Sequence, residues 1–375
     1  MNQRSGNIPA WVPEGQTPFA SLEIPGVMGA ATACTPNPPL RKKADDAKQL
    51  ASGVLDGHRG DLARAITLVE SNAPGHRPLA REILTLISRK EQPAPAQRIG
   101  ISGVPGAGKS TFIEAFGNFL CDAGHRLAVL TVDPSSTISG GSILGDKTRM
   151  ELLSRREECF IRPSPSSGVL GGVTRKTRET ILLCEAAGYD TILVETVGVG
   201  QSEIEVRSMV DCFVLLMIAG AGDDLQGMKK GILEIADILA VNKADGPNEI
   251  RALNTRMELE RAVAFLSPCT EGWTPPVLAI SARTGKGMQE MSDALEQFRT
   301  HVRTHGQFTS RRKLQDLSWW QSLVEQELRA RFFADPAVAR KAEWLEARIS
   351  QGSLTPSVAA EELLGMLGSH SSKSL

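Results

Sequence analysis

No apolar run in this sequence is long enough to cross a membrane. The longest, Cys212 to Ala219, falls far short of the roughly 20 residues that a bilayer-spanning helix needs. Residues 1–40 lack a basic start followed by an apolar stretch, so neither Sec export nor membrane insertion is expected. Net charge is almost absent as well. Forty-two Lys and Arg against 43 Asp and Glu leave a formal charge of -1, which gives no global field to gather nucleic acid or an anionic membrane. Metal-type spacing is missing too, with no Cys-x-x-Cys and no His-x-His. The six cysteines, at 34, 121, 159, 184, 212 and 269, are scattered, several of them inside apolar runs. They read as reduced thiols behaving as small core residues in a cytosol-like compartment.

What is present is an ordinary globular balance, 41% apolar and 23% charged, over a chain long enough for one sizeable core with additions. Residues 1–43 are rich in proline and have no apolar period, which predicts a flexible arm. Residues 44–92 turn helical, with Leu62, Ile66 and Val69 on one face and Leu79, Ile83 and Leu86 on another, broken near Gly57 and Pro74-Gly75. A Pro-rich linker, 92–95, closes this small helical subdomain. From 98 to 303, short apolar runs alternate with helical segments. Arg98–Ser102, Leu127–Val132, Thr191–Val194, Cys212–Ile218, Ile238–Val241 and Val277–Ile280 predict buried strands. This alternation predicts an α/β fold with a mostly parallel, doubly wound sheet. Residues 306–368 return to helical spacing, with Leu317, Trp320, Val324, Leu328 and Phe332 recurring, and form an extension suited to packing or dimerisation.

Gly103-Val104-Pro105-Gly106-Ala107-Gly108-Lys109-Ser110 fits G-x-x-x-x-G-K-[ST], follows a strand and opens a helix. Its glycines let backbone N–H groups of Gly103, Gly106, Ala107, Gly108 and the following Thr111 curl around phosphates. Lys109 reaches the β and γ oxygens, and Ser110 ligates Mg²⁺. Asn242-Lys243-Ala244-Asp245 ends a later strand and has the N-K-x-D form. A carboxylate at Asp245 can accept from guanine N1–H and its exocyclic amine, a donor pair that adenine lacks. GTP is therefore expected over ATP. Ser281-Ala282 follows the last strand, where backbone N–H groups can meet guanine O6.

Glu195-Thr196-Val197-Gly198 also ends a strand, which places an acid beside the Mg²⁺ and the Gly198 N–H near the γ-phosphate. Many GTPases carry Asp where Glu195 stands. Asp133 and Asp146 are further acids able to hold Mg²⁺, with a helix cap as the alternative role, weighed equally only for Asp146. Signalling GTPases commonly place a water-orienting Gln directly after this glycine. Val199 stands there instead and the nearest Gln is Gln201, so slow intrinsic hydrolysis accelerated by a partner is expected, with Lys109, Glu195 and Gln201 as the catalytic candidates.

The string of motifs resembles the MeaB/ArgK family of GTPases, the chaperones of methylmalonyl-CoA mutase and related adenosylcobalamin mutases. It rests on residues 103–111, Val-Asp-Pro-Ser-Ser at 132–136, Glu-Thr-Val-Gly-Val-Gly-Gln-Ser-Glu at 195–203, Gly-Ala-Gly-Asp-Asp-Leu-Gln-Gly at 220–227 and Asn-Lys-Ala-Asp at 242–245, and covers roughly residues 45–367. The resemblance implies a SIMIBI-type G domain binding GTP or GDP with Mg²⁺. It matches Lys109, Asp133, Asp146 and Glu195 to the family's nucleotide and metal positions. It also implies a third mobile segment over 220–230, with Asp223, Asp224, Gln226 and Lys229 signalling to the mutase. A homodimer through C-terminal helices is implied, as is a role in gating adenosylcobalamin delivery, with a cobalamin adenosyltransferase as a further partner. Mitochondrial members carry leaders, whereas residues 1–40 hold one Arg, Arg4, beside Glu14 and Glu23, so a bacterial cytoplasm is favoured over a mitochondrial matrix.

Two alternatives share this nucleotide domain. A nickel chaperone for hydrogenase or urease would need clustered soft or imidazole ligands, and His301 and His305, one turn apart, read instead as an exposed helical pair. A transport-system kinase would need an acceptor site. The basic triplets Arg41-Lys42-Lys43 and Arg311-Arg312-Lys313 are followed closely by acids and read as solvated helix starts rather than a nucleic-acid face.

Overall fold

Strands form where runs rich in Val, Ile and Leu can be buried on both faces, which only a sheet covered on each side by helices allows. The computed structural model describes residues 43–73, 75–90, 94–132, 150–164, 170–196, 202–219 and 230–367. Its strands are β1 Gln97–Gly103, β2 Leu127–Val132, β3 Cys159–Ser164, β4 Thr191–Thr196, β5 Cys212–Ile218, β6 Ile238–Asn242 and β7 Val277–Ala279. They form one sheet in the order β3-β2-β4-β1-β5-β6-β7, with every neighbouring pair parallel. Every residue of β2, β4 and β6 is buried.

One strand, β3, has no counterpart among the six expected from sequence. Arg162 and Pro163 interrupt its apolar run, and a proline that cannot donate to a ladder is tolerated at a sheet edge, where β3 lies. The Arg162 guanidinium is held by Glu70, a carboxylate that is itself buried.

The helices that follow in chain order are α1 Lys43–Leu55, α2 Arg59–Glu70, α3 Arg77–Ser88, α4 Lys109–Asp122, α5 Glu151–Ser154, α6 Leu170–Ala186 and α7 Ser202–Arg207. After these come α8 Lys230–Glu234, α9 Glu249–Val263, α10 Met288–Thr304, α11 Gln307–Ala334, α12 Pro336–Ser350 and α13 Pro356–Leu364. On one face of the sheet, Phe112 and Phe116 of α4 and Leu295 and Phe298 of α10 pack with Ile99, Ile101 and Leu193. On the other, Leu183 of α6 joins Ile192, Val194 and Phe213, and α2 and α3 bring Leu62, Ile66 and Ile83 onto the same core.

The triplet at 311–313 departs from expectation. Arg311 and Arg312 are not a solvated helix start, since their side chains are only 17% and 15% exposed and fasten α11 to the sheet. Arg312 donates to both oxygens of Asp211 (2.8 and 2.6 Å), to Glu185 Oε1 (3.3 Å) and to the Ala96 carbonyl (2.6 Å). Arg311 donates to Thr270 Oγ1 at 2.7 Å and to the Asp211 carbonyl. His301 likewise is not free in solvent: its ring packs at a tilt against Trp273, centroids 5.5 Å apart, and its Nε2 lies 3.0 Å from the Glu271 carbonyl. Among the described residues, Cys121, Cys159, Cys184 and Cys212 are buried free thiols and Cys269 is exposed. No helix there is long and apolar enough to cross a membrane.

Candidate functional site

Because all seven strands run the same way, their carboxyl ends share one edge, the edge at which open α/β sheets bind ligands. At the centre of that edge β1 runs straight into the glycine-rich loop. Gly103 must be glycine because a Cβ there would stand 2.3 Å from the Leu216 carbonyl oxygen of β5. Gly108 has φ 80°, and a Cβ on it would press within 3.0 Å of Asn242 Nδ2. The loop then turns directly into α4, whose first residue is Lys109, so the free N–H groups of a helix start face the loop.

Three side chains converge there. Lys109 Nζ donates to the Gly103 carbonyl at 2.9 Å, folded back over the loop. Ser110 Oγ donates to Glu195 Oε1 at 3.1 Å, which joins the start of α4 to the end of β4. Beneath them, Thr196 Oγ1 donates to Ser102 Oγ at 2.9 Å and ties β4 to β1. Burial pushes the Lys109 ammonium below its ordinary value, while the carboxylates of Glu195 and then Glu203 pull it up. An ammonium held half-buried in this way gains most from a polyanion. The Ser110 hydroxyl and Glu195 carboxylate are a hard-oxygen pair of the kind that Mg²⁺ takes alongside phosphate oxygens, and no richer His, Cys, Asp or Glu cluster occurs among the described residues.

Asn242 joins the phosphate side to the base side. Buried at 2% exposure, its Nδ2 donates to the Ala107 carbonyl at 2.7 Å, and its Oδ1 accepts from Lys243 N at 2.8 Å and Ala282 N at 3.1 Å. One amide thereby pins three loops. Lys243 adopts φ 63°, the only non-glycine residue with positive φ among those described, as expected where surrounding contacts impose a conformation. Asp245 is half-buried and does not cap the short turn Gly246–Asn248 that follows it, so its carboxylate is not committed to that turn.

The backbone N–H groups of Ser281 and Ala282, expected to meet guanine O6, already have partners within the chain. Ser281 N donates to the Lys286 carbonyl at 2.9 Å, and Ala282 N is engaged by Asn242. Sequence reasoning also overlooked Glu203. It is buried at 2% exposure on α7 and acts electrostatically on Lys109, and its signal was its place at the end of the 195–203 string. Asp133, Asp146, Gly198 and Gln201, with Asp223, Asp224, Gln226 and Lys229, lie outside the described residues.

A parallel sheet with a phosphate loop after its central strand, and an N-K-x-D loop two strands away on the same edge, defines a P-loop GTPase. The chain belongs to the family described as methylmalonyl-CoA mutase-associated GTPase MeaB, whose model matches residues 62–337. It is 51% identical over 320 residues to a probable GTPase of Mycobacterium tuberculosis, covering 85% of this chain and 95% of that protein. It is 47% identical over 324 residues to the mitochondrial methylmalonic aciduria type A homolog of Mus musculus, covering 84% and 78%. GTPase ArgK of Escherichia coli is 46% identical over 307 residues, covering 82% and 92%. A crystal structure of an LAO/AO transport system kinase matches with a TM-score of 0.69 at 37% identity, covering 86% of this chain and 98% of that one. Family membership brings guanine-nucleotide binding with it, in keeping with the N-K-x-D loop.

Proposed function

We propose that this protein is a GTP-hydrolysing chaperone that gates adenosylcobalamin delivery to, and protects, an acyl-CoA mutase of the methylmalonyl-CoA mutase type. The mutase half rests on the family match over residues 62–337 and on the name of the mouse relative. The hydrolytic half rests on one observation above all, the Ser110–Glu195 hydrogen bond beside the half-buried Lys109.

In this reading the N–H groups of the loop and of the α4 start bind the phosphates, and Lys109 leaves the Gly103 carbonyl to neutralise charge on the β and γ oxygens. Ser110 and Glu195 hold Mg²⁺, with Asp133 and Asp146 as further ligands. When bound, the ion screens charge on the transferring phosphoryl group. Asp245 accepts from the guanine edge, and Asn242 keeps the base loops in register with the phosphate loop. Val199 occupies the position of a water-orienting Gln, which supports slow turnover alone and acceleration by the mutase, with Gln201 as the candidate brought into place. Residues 220–230, including Asp223, Asp224, Gln226 and Lys229, relay nucleotide state to the mutase.

A homodimer through the C-terminal helices is supported by α11, which buries no residue and leaves Leu317, Trp320 and Leu328 about three-fifths exposed along one side. The kinase reading shares the nucleotide site and differs only in the acceptor. Single-turnover GTP hydrolysis with and without a cobalamin mutase, with Lys109→Ala as the inactive control, tests the proposal. Acceleration by the mutase is expected. An unchanged rate, or transfer of the γ-phosphate to a protein instead of water, would overturn it.

A further inference from the structure

Away from the nucleotide loops, α2, α3, α6 and α11 enclose a cavity of about 620 Å³, within the size range of small-molecule sites. None of its lining residues belongs to the phosphate or base loops. Leu68, Leu84, Leu182 and the Trp319 indole supply an apolar wall. Four cations, Arg77, Arg81, Arg175 and Lys176, face two carboxylates, Glu179 and Glu327.

Those carboxylates are already engaged. Glu179 pairs with Arg175 at 3.1 Å, and Glu327 with Arg331 at 2.9 Å. Arg77 and Arg81, one turn apart on α3, and Lys176 make no ion pair among the described residues. Lys176 is 8% exposed and makes no hydrogen bond there; the Glu70 and Glu179 carboxylates act on its ammonium only through space. The Trp319 ring in the same lining is held under the Arg178 guanidinium at 5.6 Å. A cavity with an aromatic wall, Lys176 in its lining and two α3 arginines without ion pairs at its mouth describes a receptor for charge attached to an apolar body.

We propose that this cavity binds a small dianionic ligand with an aromatic or apolar body, of the phosphomonoester type. Its anion lies between Lys176 and the α3 arginines, and its body lies against Trp319. Because the lining comes from the N-terminal helices, the sheet-covering α6 and the start of the C-terminal extension, occupancy fastens these three parts together.

The test is calorimetry on the full chain saturated with Mg²⁺ and a non-hydrolysable GTP analogue, so that the phosphate loop is filled. Phenyl phosphate is the probe, with inorganic phosphate and benzyl alcohol carrying the anion and the body alone. One equivalent of phenyl phosphate should bind, inorganic phosphate more weakly, and benzyl alcohol not at all. Lys176→Met should weaken phenyl phosphate by about tenfold or more. Arg81→Gln, at an exposed position that folding does not need, should weaken it as well. Absence of saturable binding by the wild type, or wild-type affinity in both variants, would overturn the proposal.

Discussion

Replacing Asn242 by alanine removes the single side chain that spans the phosphate loop, the base loop and the turn after β7. Three hydrogen bonds go with it, to the Ala107 carbonyl at 2.7 Å and from Lys243 N and Ala282 N at 2.8 and 3.1 Å. At about 1 kcal/mol net for each, Asn242→Ala should cost about 3 kcal/mol. With roughly 2.1 cal/mol/K of unfolding entropy per residue over 375 residues, that loss lowers Tm by about 4 °C. The same change should weaken GDP by about tenfold, because the nucleotide must now order loops that Asn242 had held in place. Differential scanning fluorimetry of the nucleotide-free protein and fluorescent-GDP titration read the two effects separately. If Tm and GDP affinity both stayed at wild-type values, the reasoning that one buried amide couples the three loops would be refuted.

Lys109 predicts a proton linkage. Burial holds its pKa below 10.5 in the nucleotide-free protein, so it loses its proton as pH rises through the lowered value, while an unfolded lysine keeps it up to 10.5. Its contribution to the stability of the nucleotide-free protein therefore rises with pH across that window. Nucleotide phosphates raise the value again, so GTP binding in the same window should take up a proton. Calorimetry in buffers of different ionisation heat would detect this, and proton release would contradict it. Asp245→Asn should shift preference from GTP toward XTP, because the amide donates where the carboxylate only accepts; competition binding giving an unchanged ratio would count against base reading by Asp245. Arg312→Ala leaves the buried Asp211 carboxylate without its guanidinium and should cost about 3–5 kcal/mol by chemical denaturation, whereas Arg331→Ala at an exposed pair should leave stability essentially unchanged. Equal effects of the two would contradict the anchoring role of Arg312.

The sheet was largely legible because its strands are short apolar runs bounded by turn residues, as Leu127–Val132 and Cys212–Ile218 show. β3 escaped because Arg162 and Pro163 erase the apolar signal that an edge strand does not require. The phosphate loop and N-K-x-D loop could be found because phosphate and guanine chemistry restrict residue type at fixed spacing. Arg311 and Arg312 were misread because charge runs are normally solvated, and only the fold brings Asp211, about a hundred residues earlier in the chain, against them. The electrostatic role of Glu203 and the three-way bond of Asn242 depend on loops from separate strands meeting at one edge, information that spacing along a chain does not contain.

Titration of the purified chain with GTP and with ATP, each in the presence of Mg²⁺, decides whether the site selects guanine. Saturable uptake of one GTP with little or none of ATP is expected. Failure to take up GTP, or equal uptake of ATP, would contradict it.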